Sequence, residues 1–277
     1  MITIATKSMI PALKSIWIDA FKDPEAYADF FLNHRFNDIS TFVYLIENNP
    51  VSMAFVFNEE ICYKGSYVKA GYIYGVATAS KHQGKGYSTE VLRHIQGIYP
   101  TTFLVPATQR LFDFYGRNGY KTAFTVIEET LIATSEHSLV ETPYSFCAIS
   151  SAQYKGIRDN HFQREGYVRW SESSIAYAIA ENQFLGGSTL KVSFLNQSKS
   201  TCEAIVLYRC YENQLYIKET TLSGQNLYDV ALLLMKKNHV TKCHLRLATD
   251  QTSTGQGFGM LHSTFSLENG YCNLVLD

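Results

Sequence analysis

The sequence predicts a mixed α/β protein of two domains. Strand-like and helix-like runs alternate along the whole chain, some apolar at every second residue and others at helical spacing. A polar stretch, Thr134 to Pro143, breaks that periodicity near the middle. On each side of it lies the same order of strand, polar loop, helix and short strand. The expected domains are residues 1–135 and 144–277.

The first domain opens with helices. Thr6 or Ser8 can cap a helix that carries Ile10, Leu13, Ile16 and Trp17 on one face. Asp23-Pro24-Glu25 supplies a cap, a proline and a first-turn acid in the order that starts a second helix. Its apolar stripe is Tyr27, Phe30 and Phe31. Strands follow at Thr41 to Ile46 and Val51 to Phe57, joined at the turn signal Glu47-Asn48-Asn49-Pro50, and again at Ser66 to Thr78. A helix from Gly86 to Ile98 places Val91, Leu92, Ile95 and Ile98 on one side. Then come a short buried strand, Thr101 to Val105, a helix from Thr108 to Asn118 closed by Gly119, and a long strand from Thr122 to Ala133.

Beyond the polar stretch the pattern restarts. Ser150 or Ser151 caps a helix reaching Phe162, and Ser171 caps another, Glu172 to Phe184, ended by Gly186-Gly187. Cys202 to Tyr211 and Gln214 to Thr221 read as a hairpin around Glu212-Asn213. Asn226 to Lys237 reads as a helix and Lys242 to Ala248 as a buried strand. A last hairpin is expected between Gly259–Phe265 and Tyr271–Leu276, turning at Glu268-Asn269-Gly270. The second copy of strand, loop and helix repeats the organisation but not the residues: its loop is Ser223-Gly224-Gln225-Asn226.

Composition narrows the function classes. The formal net charge is −1, so there is no basic excess of the kind that tracks nucleic acid or an anionic membrane. None of the six cysteines sits in a C-x-x-C pair or beside a histidine at ligand spacing, which argues against zinc and for reduced thiols in the cytoplasm. The opening residues lack the apolar run of a signal peptide, and no later run is long enough to span a bilayer. The expected localisation is cytoplasmic, with no nucleic-acid and no membrane partner.

One loop carries chemistry. Gln83-Gly84-Lys85-Gly86 lies between the strand ending at Thr78 and the following helix. Amides at a helix N-terminus are unpaired and the helix dipole adds positive potential, so glycines there let a phosphate approach the backbone. A P-loop does not fit, because Lys85 is followed by Gly86 and Gly75 lies too far upstream. A dinucleotide fingerprint does not fit either, because Glu90 stands where its third glycine or alanine would be.

Gln83-Gly84-Lys85-Gly86-Tyr87-Ser88 resembles the Q/R-x-x-G-x-G/A signature of GNAT-superfamily acyltransferases, with Ser88 in place of the final glycine or alanine. Downstream, Leu111 to Lys121, "LFDFYGRNGYK", resembles that family's Y-x-x-x-G-F/Y segment. The resemblance covers residues 1–133. The remainder resembles, more loosely, the degenerate second copy of tandem-GNAT proteins. It implies a GNAT-type mixed, mostly antiparallel sheet flanked by helices, followed by a second degenerate GNAT-like domain. The implied function is acetyl-CoA-dependent N-acyl transfer to a small primary amine, directly and through a tetrahedral intermediate. Acetyl-CoA is the implied acyl-donor co-substrate, and no metal is implied. The reading from a different class is a non-catalytic protein that binds or scaffolds a CoA thioester. The sequence leaves a homo-oligomer open.

By the same resemblance, Gln83, Gly84, Lys85, Gly86, Tyr87 and Ser88 hold the diphosphate. An oxyanion donor falls near Val76, Ala77 or Thr78, where the strand edge also pairs with the pantetheine arm. Tyr115 is the expected general acid for the leaving sulfur. The base is open: the strand from Ser66 to Thr78 has no carboxylate, which leaves Glu128, Glu129, a water chain or the chain-terminal carboxylate of Asp277. His82 is open to contact with phosphate or to an incidental place, Lys85 adds positive charge near the phosphates, and Arg110 and Arg117 are open to the 3′-phosphate or to plain solvation; Trp170, Tyr167 and Tyr177 read as core.

Overall fold

The structure is a computed structural model that describes residues 1–134, 144–196, 198–249 and 255–274. In chain order the main elements are β1 (Ile2–Ile4), α1 (Ile10–Phe21), α2 (Glu25–Arg35), β2 (Thr41–Ile46), β3 (Asn49–Tyr63) and β4 (Ser66–Thr78). Next come α3 (Tyr87–Ile98), β5 (Thr102–Leu104), α4 (Gln109–Arg117), β6 (Lys121–Ile132), β7 (Ser145–Ala148), α5 (Ser151–Phe162) and β8 (Val168–Arg169). The chain finishes with α6 (Glu172–Phe184), β9 (Ser188–Leu195), β10 (Thr201–Tyr211), β11 (Gln214–Thr220), α7 (Gly224–Lys237), β12 (Lys242–Ala248) and β13 (Gln256–His262).

Contacts divide the chain into two units that interleave in sequence. Unit 1 holds residues 1–61, 67–123 and 258–268, and unit 2 holds 62–66, 124–257 and 269–277.

Unit 1 is a sheet in the order β1-β2-β3-β4-β5-β13. β1, β2 and β3 run antiparallel, β4 and β5 parallel, and β5 and β13 antiparallel. The chain turns between β2 and β3 at Glu47-Asn48, both at positive φ, the geometry a tight hairpin requires. α3 packs Val91, Leu92 and Ile95 against Phe42, Ala54, Val56, Ile73 and Leu104. Trp17 of α1 is buried against Phe31 of α2, with ring centroids 4.3 Å apart. Asp23 does not cap α2: its carboxylate accepts from Trp17 Nε1 at 2.9 Å, and Pro24 occupies the cap position.

Unit 2 is a sheet in the order β6-β12-β11-β10-β9-β7. Here too a helix, α7, links two parallel strands, β11 and β12. The strand, loop, helix and strand order read in the sequence is therefore present in each unit. Its apolar core joins Leu227, Val230, Ala231 and Leu234 of α7 to Leu215, Ile217, Cys243 and Leu245. A second, polar core lies around Arg158 of α5, whose side chain and that of Glu219 on β11 are both 0% exposed. Arg158 Nε donates to Glu219 at 3.0 Å, Nη1 to the Tyr167 hydroxyl at 2.7 Å, and Nη2 to the Asn273 carbonyl at 3.0 Å. Tyr154 and Tyr271 hydroxyls donate to the same carboxylate at 2.6 and 3.0 Å.

The expected final hairpin is corrected. β13 pairs with β5, through Met260↔Leu104, Leu261↔Phe103 and His262↔Thr102. Tyr271 forms only an isolated bridge with Tyr167, and no strand covers 271–274. The physical reason is burial: Met260 joins the unit 1 core, while Tyr271 and Asn273 are held by the Arg158–Glu219 cluster of unit 2. The predicted linker falls, except for Thr134, outside the described residues.

Candidate functional site

Unit 1 opens where β4 outruns β5. The two strands pair only at Gly71↔Thr102 and Tyr72↔Phe103, and β5 ends at Leu104 while β4 continues to Thr78. Within that free stretch Gly75 has φ +60°. A Cβ there would meet Phe55 Cδ2 at 2.9 Å and Trp17 Cζ3 at 3.1 Å. Both the backbone angle and the close approach therefore require glycine, and the strand bends at this point. Ala79 N–H donates to Val51 O at 3.0 Å, so backbone alternation turns Ala77 toward β3 and turns Val76 and Thr78 toward the open side. Of the three candidates for an oxyanion donor, Val76 and Thr78 present backbone groups there.

The glycine loop follows. Gly84 and Gly86 have φ of +75° and +83°, and a Cβ on either would find no atom within 4 Å. The loop is thus open above both glycines. Gly86 is the N-cap of α3 in a left-handed conformation with no side-chain cap. The amides of Gly84, Lys85, Gly86, Tyr87 and Ser88 meet no protein acceptor among the described residues. The Tyr87 ring stacks on Tyr44 of β2 at 4.4 Å, which turns its side chain back onto the sheet. Gln83 Nε2 donates to Thr78 O at 3.2 Å and ties the loop to the end of β4. Lys85 is exposed, and His82 is half-buried with Nδ1 unpartnered. Burial, then the charges of Lys85 and Lys81, hold its imidazole below its ordinary pKa. These residues fit a diphosphate: an unfilled cradle, bare N–H groups and a helix N-terminus.

Ser88, the departure from the family pattern, has a partner of its own. Its hydroxyl lies 2.6 Å from Thr78 Oγ1, which donates to Ser52 Oγ at 2.8 Å, and Ser52 donates to Ala77 O at 2.9 Å. Thr78 has one hydroxyl proton and gives it to Ser52, so Ser88 is the donor in the first link. The relay stitches the start of α3 to the bent end of β4. Ser88→Ala removes one link without touching an amide. The expected result in urea unfolding is a loss of about 1 kcal/mol.

Tyr115 sits on α4, whose N-cap Thr108 accepts from the Leu111 amide. The residue is 7% exposed and packs in the cluster with Ile95, Leu104 and Tyr120. Its hydroxyl has no hydrogen-bond partner among the described residues and is not one of the fully sealed polar atoms. Burial, reinforced by nearby Tyr120, pushes its pKa well above the ordinary tyrosine value, so it stays protonated at neutral pH. Tyr120 is pushed up to about 12 by burial, and its hydroxyl pairs with Thr102 Oγ1 at 2.9 Å. Gly119, at φ +86°, supplies the turn between them.

The remaining sequence candidates are dispersed. Glu128 lies 3.7 Å from Arg246 Nε, and Glu129 accepts from the Tyr228 hydroxyl at 3.2 Å, both within unit 2. Asp277 lies outside the described residues. Arg110 and Arg117 are exposed on α4. Trp170, Tyr167 and Tyr177 are buried core residues. All six cysteines are free. Among the described residues no helix is long and apolar enough to cross a membrane. Sequence reasoning missed two contributors, Gly75 and the Ser52–Thr78 pair. A glycine inside a strand pattern was the available signal for the first.

The family profile described as the acetyltransferase (GNAT) domain matches residues 2–123. That stretch ends with the Tyr67–Ala123 part of unit 1. No curated protein matches the chain. Among solved structures, the chain is similar to a GCN5-related N-acetyltransferase from Anabaena variabilis ATCC 29413, with a TM-score of 0.71, 16% identity, 94% of this chain covered and 72% of that one. A GCN5-related N-acetyltransferase from Kribbella flavida gives 0.67 at 15% identity, covering 94% and 71%. Eis1 from Mycobacterium abscessus gives 0.66 at 14% identity, covering 95% and 73%. At such identities these likenesses establish the fold.

Proposed function

Starting from a chain that carries a GNAT acetyltransferase domain at residues 2–123, we propose that it transfers an acetyl group from acetyl-CoA to a small primary amine. The observation that supports this reading is the run of unpartnered amides from Gly84 to Ser88 at the start of α3. They hold the diphosphate, with Gln83 bracing the loop and Lys85 adding positive charge. Val76 and Thr78 offer the free strand edge beyond Gly75 to the pantetheine arm, and an amide there stabilises the developing oxyanion. Acetyl-CoA supplies the acyl group and a thiolate leaving group. Tyr115, kept protonated by burial, gives its proton to that sulfur. Unit 2 is a degenerate second copy, since the loop before α7 lacks the paired glycines.

The test is a calorimetric titration of the full chain with acetyl-CoA, beside Gly86→Val and a thiol-release assay across a panel of small amines. A β-branched residue at φ +83° is strained, and realigning the loop pulls amides out of the cradle. The expected loss of acetyl-CoA affinity is tenfold or more in a variant whose circular dichroism is unchanged. Absence of any heat with acetyl-CoA in the unmodified protein removes the reading. Binding without thiol release for every amine leaves only the cradle and removes the transferase.

A further inference from the structure

The two faces of the unit 1 sheet are lined differently. Ala54, Val56, Ile73 and Leu104 share a cluster with α3 and with Tyr115 of α4. Alternation along the strands therefore turns Phe55, Tyr72, Tyr74 and Phe103 to the opposite face. There α1 and α2 pack. Ring centroids of Phe31 on α2 lie 4.9 Å from Phe55 and 5.3 Å from Tyr74, and Trp17 on α1 lies 6.0 Å from Tyr74. The bend at Gly75 looks the same way, since a Cβ on it would meet Phe55 and Trp17. With the glycine loop at the start of α3 and Tyr115 on the α3 side, the side left for an acceptor is that of α1.

Two features give that side a chemistry. First, its wall is aromatic. Tyr74 stands one residue before the bend and is half-buried. Phe21, one turn beyond Trp17, meets the Trp17 ring edge-on at 4.8 Å and stays 39% exposed. Second, its acids are engaged. The carboxylates of α1, α2 and the turn between them are Asp19, Asp23, Glu25 and Asp29. Ser80 N and Oγ donate to Asp19 at 2.6 and 2.9 Å, and Trp17 Nε1 donates to Asp23 at 2.9 Å. Lys14 Nζ lies 2.6 Å from Glu25 and 2.7 Å from Asp29. β4 has no carboxylate, and Glu47, in the turn between β2 and β3, is exposed. An alkylammonium, with a pKa of about 10, would shed water here beside aromatic rings and would still hold a proton that must leave before nitrogen can attack.

Resting on the acyl-transfer reading, we propose that the acceptor is a primary aromatic amine, its ring against Phe21 and Tyr74 and its nitrogen neutral on arrival. Conjugation of the lone pair with the ring makes an arylammonium a far stronger acid than an alkylammonium, so the free amine prevails at neutral pH. No base is then needed to begin. The nitrogen lone pair forms the N–C bond to the thioester carbonyl, the C–S bond breaks, and its electron pair leaves on sulfur. Tyr115 gives its proton to that sulfur. Nitrogen must lose one proton to end as an amide, and the phenolate left on Tyr115 takes it. Sulfur and nitrogen are bonded to one tetrahedral carbon, so a hydroxyl within reach of one is close to the other. The products are an N-acetylarylamine and the free thiol of CoA, with Tyr115 restored.

Two isomeric amines test this with the full chain and saturating acetyl-CoA: para-toluidine, with nitrogen on the ring, and benzylamine, with nitrogen one carbon away. Thiol release is the readout. At neutral pH, kcat/KM for para-toluidine should exceed that for benzylamine tenfold or more. The para-toluidine value should stay flat from about pH 6 to about pH 9, while the benzylamine value climbs with pH, because its neutral fraction grows about tenfold per unit below its pKa. Phe21→Ala should raise KM for para-toluidine tenfold or more in a variant with unchanged circular dichroism, and Phe21→Tyr should not. Glu47→Gln should leave para-toluidine turnover as it was. The proposal is overturned if benzylamine is the better acceptor at neutral pH, if the para-toluidine rate climbs with pH as the benzylamine rate does, if Phe21→Ala leaves KM unmoved, or if Glu47→Gln abolishes turnover. A preference for benzylamine removes the aromatic acceptor and keeps the transferase. Thiol release with no amine at all removes both.

Discussion

Tyr115→Phe lowers kcat by about 10²–10⁴ and leaves acetyl-CoA affinity within twofold. The argument is local. The substitution deletes one oxygen from a side chain otherwise packed among Ile95, Leu104 and Tyr120, so the ring contacts remain. That oxygen has no protein partner among the described residues, so its loss breaks no structural hydrogen bond. What remains to be lost is the proposed proton donation to the departing sulfur. The pH profile supplies a second reading. Because burial raises the Tyr115 pKa, it is protonated across the neutral range, and it should impose no falling limb on kcat below about pH 10. A Phe variant with unchanged turnover, or an alkaline limb near neutrality that vanishes in it, contradicts the assignment.

Arg158→Met unfolds unit 2 at much milder conditions, with an expected loss of about 3–5 kcal/mol. The guanidinium serves Glu219, Tyr167, Val168 and Asn273 at once. Deleting it strands the Glu219 carboxylate at zero exposure with only tyrosine hydroxyls for company. Adding Glu219→Leu to the same variant removes the stranded charge and should restore much of the stability, since the cost lies in the unpaired ion rather than in the missing pair. Denaturant midpoints of the single and double variants measure this. A single-variant loss below about 1 kcal/mol is inconsistent with a fully dry pair.

Much of the candidate site could be read from local sequence. The two glycines with positive φ, the helix after them and the Tyr115-to-Gly119 segment are short-range features, and their residue types follow from backbone geometry. The bend at Gly75 was less legible because half of its cause, Trp17, comes from a distant helix. Ser88 read as a flaw in a motif, and only the fold reveals the hydroxyls of Thr78 and Ser52 that it joins. The burial of Arg158 carries no local signal, because the carboxylate it pairs with lies 61 residues away. The strand at Gln256–His262 was visible as a strand, but its apolar pattern fits any sheet edge, and its partner β5 is set by tertiary packing. Short strands such as Ile2–Ile4 were missed for want of length.

The placement of β13 bears on how the protein is made. Unit 1 draws one of its strands from residues 258–268. A nascent chain that has released only residues 1–123 carries β5 with a bare edge, and translation must add more than a hundred residues before the missing neighbour arrives. During that interval residues 1–123 form a sticky half-product, exposed to chaperones and to pairing with other copies. Expressing the first half by itself should therefore give insoluble material, despite the apparent completeness of its motifs.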